Sequence, residues 1–129
     1  MVDKSQELTP ADFLHFVELD EFSQDWESLG LNLDDDMWAL CTAIMLSPDG
    51  APIIKGTGGL RKLRFAPAAW KTGKSSAVRV CYAYFPKHWT VLLVMAYGKN
   101  VSETITAAEK RGIKQYLEAV QAWLDNRNG

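Results

Sequence analysis

The residues of this chain best suited to chemistry are cations at strand-like spacing. Between Ala51 and Val101 stand nine basic residues, Lys55, Arg61, Lys62, Arg64, Lys71, Lys74, Arg79, Lys87 and Lys99, with no Asp or Glu among them. Lys62 and Arg64 lie two apart in a segment, Leu60 to Ala66, that reads as a strand, so they share one face while Leu63 and Phe65 share the other. Arg79 interrupts an apolar and aromatic run (Val78, Val80, Cys81, Tyr82, Tyr84), where a long cation is expected only on a functional or solvent face. Tyr97-Gly98-Lys99-Asn100 closes a third strand-like segment, Trp89 to Gly98. Cations converging from neighbouring strands suit the grip of a nucleic-acid backbone, and a tyrosine among them suits the stacking of a base. Plainer readings stand beside this one: Lys62 and Arg64 also suit a guarded edge strand, and Arg79 an ion pair with the acidic N-terminal half.

Other chemistries find less support. The turn Lys55-Gly56-Thr57-Gly58-Gly59 runs into a basic strand, but it lacks the GxxxxGK[ST] spacing of a nucleotide phosphate loop, and a strand rather than a helix follows it. Its glycines permit positive φ or a close backbone approach. His15 and His88 are far apart in sequence and offer no paired acid and base. Within the basic region there is neither a nucleophile motif nor a carboxylate pair, so triad hydrolysis and glycosidase chemistry have no footing. Asp34, Asp35 and Asp36 are explained by the start of a helix rather than by a metal. No cofactor is called for. Cys41 and Cys81 lack CxxC spacing and read as buried free thiols of a reduced compartment.

The elements that must position the cations follow from periodicity. A length of 129 residues fits one domain. Residues 1–12 read as a loose extension and residues 13–126 as the domain. Phe13 to Leu19 suits a first strand. Phe22, Trp26 and Leu29 mark a helical face ending at Gly30, and Met37, Leu40, Cys41, Ile44 and Met45 mark a second, stopped by Pro48 to Gly50. Strands are expected over Leu60 to Ala66, Ala77 to Phe85 and Trp89 to Gly98. The Pro67 to Ser76 connection, carrying Lys71 and Lys74, reads as a mobile loop. Thr106-Ala107-Ala108-Glu109 has capping-box spacing, and the helix it opens would bury Ile113, Tyr116 or Leu117, Val120, Trp123 and Leu124. The order β-α-α-β-β-β-α predicts an α+β fold: a small twisted antiparallel sheet, with the first strand at its edge beside a three-strand meander. The helices are expected on one face, leaving the other for function.

Charge separates sharply along the chain. Residues 1–50 hold twelve acids against Lys4 alone, residues 51–101 nine bases and no acid, and the remainder four of each, giving −11, +9 and 0, which sum to the net −2. One surface should therefore present a positive field. No apolar run approaches a membrane span, and the first residues lack the basic-then-apolar pattern of a leader, so a cytoplasmic protein is expected.

The segments GTGGLRKLRF (56–65), SAVRVCYAYF (76–85), LLVMAYGKN (92–100) and TAAEKRGIKQYLEAV (106–120) resemble the RelE superfamily of toxins, most closely its HigB-like branch. The resemblance spans about residues 13–124. It implies the toxin half of a bacterial type II toxin–antitoxin pair that cleaves messenger RNA on the ribosome by attack of a ribose 2′-OH on the adjacent phosphate, with no metal. By position it matches Arg61, Lys62, Arg64, Arg79 and Tyr97 to Asn100; Lys62, Arg64, Arg79 and Lys99 are expected to be catalytic, and Arg61, Tyr97 and Asn100, together with Lys71 and Lys74 of the loop, to bind RNA. Its implied partners are a helix-turn-helix antitoxin, through which alone operator DNA would be reached, together with the ribosome and mRNA. Two departures favour the alternatives of a ParE-like gyrase poison or an inactive binding protein on the same fold: Asn100 stands where RelE proper has arginine, and Val101 to Thr106 carries no aromatic. The acidic segment from Asp20 to Asp36 offers a basic partner a docking surface away from the cations.

Overall fold

The computed structural model describes residues 8–67, 77–98 and 105–127. Their elements are β1 (His15–Glu18), α1 (Asp20–Ser28), α2 (Asp35–Leu46), β2 (Arg61–Phe65), β3 (Val78–Phe85), β4 (Thr90–Tyr97) and α3 (Ala107–Arg127), in the predicted order. Part of the expected loose extension is structured: Pro10–Asp12 forms a 3₁₀ turn in which Pro10 is buried and the Asp12 carboxylate accepts the Thr9 N–H at 2.7 Å.

Helix boundaries follow local chemistry. In α1, Phe22 and Trp26 stand one turn apart and both are fully buried, and Gly30, at φ +76°, ends the helix. Ahead of α2, the Asn32 side-chain oxygen accepts the N–H groups of Asp34 and Asp36 at 3.0 Å each, while the Asp36 carboxylate accepts the Asn32 N–H at 2.9 Å. This reciprocal arrangement satisfies helix-start donors with Asn32 as well as the aspartates. The Thr106 and Glu109 capping box forms as expected, at 3.0 and 3.1 Å, and opens α3.

The sheet runs β1-β4-β3-β2. It is mixed, not antiparallel: β1 sits at the predicted edge but pairs parallel with β4, from His15 opposite Thr90 to Glu18 opposite Leu93. No hairpin ties β1 to a neighbour, because α1 and α2 intervene before the chain reaches β2 at the opposite edge, so turn geometry does not impose antiparallel pairing.

The helices also divide differently from the expectation. On one face α1 and α2 pack Phe22, Trp26, Leu40 and Ile44 against Phe65, Val78, Val80, Tyr82, Val91 and Leu93. On the other, Leu117 and Leu124 of α3 close over Leu60, Cys81, Ala83, Phe85, Leu92 and Val94. The sheet therefore has no wholly open face. The cause is legible in β3 and β4, whose residues are almost all buried on both sides, as strands sandwiched between layers must be. Tyr116 and Trp123, two of the residues expected in the α3 stripe, are instead 44% and 58% exposed.

The β3–β4 ladder changes register once. Ala83 and Tyr82 face Leu92 and Leu93, but Cys81 faces Met95, so Val94 is an additional residue on β4. Among the described residues, no helix is long and apolar enough to cross a membrane.

Candidate functional site

Pairing across three strands assembles the basic cluster. Arg64 on β2 lies opposite Arg79 on β3, and Arg79 lies opposite Tyr97 on β4. Cross-strand partners share a face, so these three side chains form one row. Lys62, Cys81 and Met95 form the next row on the same face. As the two-residue spacing predicts, Leu63 and Phe65 turn to the opposite side, into the core beneath α1 and α2.

The row stands on the α3 side of the sheet, where Tyr97 packs against the edge of the cluster closed by Leu117 and Leu124. Lys62 and Arg64 are exposed, while Arg79 and Tyr97 are half-buried. The Arg79 guanidinium donates to the carbonyl of Ala77, the residue just before β3, at 2.6 Å, which holds this side chain close to its own backbone. Two like charges directly opposed on a sheet repel one another, and an anion bound between them relieves that repulsion.

Arg61 does not join the row. One residue from Lys62, it faces the other way opposite Tyr82, and its guanidinium donates to the carbonyls of Asp49 at 2.9 Å and Ala51 at 2.7 Å. There it pins the loop after α2, as does the Tyr82 hydroxyl, which donates to the Pro48 carbonyl at 2.7 Å. The positions of Lys71, Lys74, Lys99 and Asn100 lie outside the described residues.

The glycine turn serves the fold rather than a ligand. Gly56, Gly58 and Gly59 all have positive φ. The Thr57 hydroxyl, fully buried, donates to the Ile54 carbonyl at 2.6 Å and accepts the Leu60 N–H at 3.0 Å. A Cβ on Gly58 would stand 2.9 Å from the Cγ of Lys114, and one on Gly56 would stand 3.4 Å from the Cδ of Lys110. The turn thus packs on the aliphatic stems of α3. This contact also brings Lys110 and Lys114 to the β2 margin of the face that carries Lys62 and Arg64. Sequence reasoning centred on residues 51–101 passed over both lysines, although their four-residue spacing already placed them on one side of a helix.

Neither histidine reaches the row. His88 follows β3 in a 3₁₀ turn and bonds Asp125 of α3 at 2.7 Å. The bonds from His88 and Gln121 hold the Asp125 carboxyl below its ordinary range. His15 lines a groove between β1 and α3. Neither cysteine is in a disulfide, and burial pushes the Cys41 thiol up to about 11, leaving it a poor nucleophile at neutral pH. Compared with models of known protein families, the chain matches none.

Proposed function

We propose that this protein is the toxin component of a type II toxin–antitoxin pair of the RelE superfamily, HigB-like in its sheet segments, and that it cleaves translated messenger RNA on the ribosome. The observation that carries this reading is the single row Arg64, Arg79 and Tyr97, with Lys62 in the next row, on the α3-side face of the sheet, where Lys62 and Arg64 are exposed. A protein-binding surface has no need to register two arginines directly opposite one another, whereas a phosphate does. In the proposed reaction a ribose 2′-hydroxyl gives up its proton as its oxygen bonds the adjacent phosphorus, the bond from phosphorus to the 5′-oxygen breaks as that oxygen takes up a proton, and the extra charge of the transition state falls between Arg64 and Arg79. A preorganised donor of this kind lowers a barrier by about 3–4 kcal/mol. Tyr97 flanks Arg79, where an unpaired base could stack. A cognate antitoxin, the ribosome and mRNA are the partners this role requires, in the cytoplasm, with no metal or cofactor.

Induced expression followed by primer extension on translated messages tests this. Cuts within codons are expected, absent from folded Arg79→Ala and Arg64→Ala proteins. Arrest that persists unchanged in those variants, or DNA breaks in place of mRNA cuts, would transfer the reading to a gyrase poison. Binding of purified protein to RNA should also weaken steeply with salt, with a shallower slope for Lys62→Glu.

A further inference from the structure

The two edges of the sheet are finished differently. Beyond β2 the chain folds back on itself: Ile53 bridges to Arg61, Ile54 N–H bonds the Leu60 carbonyl at 2.8 Å, and Lys62 N–H bonds the Pro52 carbonyl at 3.0 Å. Beyond β1, among the described residues, no strand follows. His15 and Leu19 turn their N–H groups inward to Trp89 and Leu93 of the β4 side. By the alternation of a parallel ladder, Phe16 and Glu18 direct their backbone donors and acceptors outward.

The side chains of β1 separate two grooves of unlike character. On the α3 side Val17 and Leu19, with Leu92, Val120, Tyr116 and Trp123 among others, line a groove of about 500 Å³ whose polar members are His15, Thr90 and Arg127. On the α2 side Phe16 lines a second groove of about 380 Å³ with Met37, Trp38, Cys41 and Asp34. Glu18 projects to this same side, as the period of two requires. Trp38 is 52% exposed. Charge sharpens the difference, since no lysine or arginine occurs between Lys4 and Lys55, a stretch holding eleven acids.

We infer that the open edge of β1 is a docking site for an extended segment of a partner protein in which apolar residues alternate with Lys or Arg. Its backbone pairs with the outward groups of Phe16 and Glu18. Its apolar side chains enter the α3-side groove, and its long basic side chains lay their stems on Phe16 and Trp38 and carry their charges to Glu18 and Asp34. Strand addition of this kind draws affinity from the main chain and specificity from alternating pockets, and a cation over an indole adds to it. The inference goes beyond the RNA reading and does not depend on it, because it uses neither Arg64 nor Arg79.

The test is a titration of the full-length, isotope-labelled protein with a synthetic peptide of about nine residues alternating Val or Leu with Arg or Lys. Saturable binding is expected, with the largest amide shifts at Phe16 and Glu18. N-methylation of alternate peptide amides should abolish it, and the exposed-site variant Glu18→Lys with Asp34→Lys should weaken it by roughly tenfold or more. No saturation by about 1 mM, equal binding of the N-methylated peptide, or shifts centred away from β1 would overturn the inference. So would two other results: binding that appears only after residues 1–7 are removed, which would make the occupant a segment of this chain, or a dimer in sedimentation with Phe16 and Glu18 amides already protected.

Discussion

Replacing Arg79 by methionine separates what this residue does for the fold from what it does for a ligand. The Cβ atoms of directly opposed residues lie about 5 Å apart. Two unit charges about 6 Å apart repel by about 0.7 kcal/mol in a water-like dielectric, which sets the scale for opposing Arg64 to Arg79. Arg79→Met removes that cost and keeps an apolar stem, but it also removes the 2.6 Å bond to the Ala77 carbonyl, worth about 1 kcal/mol. The two nearly cancel, so the melting temperature should stay within about 4 °C of the parent, given a few degrees per kcal/mol for a domain of this size. On the proposed function, cleavage of translated mRNA should nonetheless fall by about two to three powers of ten. Stability is read by thermal denaturation and activity by primer extension on the same preparations. A drop of more than about 8 °C would show that Arg79 is structural and would refute the argument from opposed charges. A well-folded variant that cuts at the parental rate would refute the site.

Three further outcomes concern the scaffold. Trp26→Ala should cost about 3–5 kcal/mol in urea denaturation, because the indole is fully buried, stacks between Phe22 and Phe65 and donates to the Asn32 carbonyl. Gly58→Ala should destabilise by at least about 1 kcal/mol, since it combines φ +72° with a Cβ 2.9 Å from Lys114 Cγ. The Asp125 carboxyl is held low in the folded state, chiefly by His88 and then by Gln121. Its contribution is therefore present above the ordinary carboxylate value and is lost as pH falls through the depressed folded value; thermal melts of Asp125→Asn should show a flatter acid limb than the parent.

The order of elements was legible because each carries its own local signal: Phe22 with Trp26, the Thr106 and Glu109 box, and the alternation of Leu63 and Phe65 with Lys62 and Arg64. Convergence of Arg64, Arg79 and Tyr97 could be anticipated only as neighbouring strands, since register is a property of pairs. What escaped sequence reasoning was non-local. The parallel pairing of β1 depends on contacts with a strand more than seventy residues later. The side on which α3 packs depends on both faces of β3 and β4 being apolar, which a single helical stripe does not reveal. Arg61 looked equivalent to Lys62, yet one step along a pleated strand sends it to the opposite face and to two loop carbonyls. The His88 and Asp125 bond joins residues 37 apart, and no short motif announces it.

The additional residue on β4 decides the composition of the basic row by arithmetic. From Phe85 with Thr90 through Tyr82 with Leu93, paired residue numbers add to 175; from Cys81 with Met95 onward they add to 176. Had the first sum continued, Arg79 would face Ala96, and Tyr97 would face Val78, whose side chain belongs to the core beneath α1 and α2. The tyrosine would then be a core residue, and the arginines would stand beside a methyl group. Membership of the row thus rests on an odd count rather than on the identity of any side chain. For this sheet, shortening β4 by one residue before Met95 is a more drastic edit than most substitutions within it.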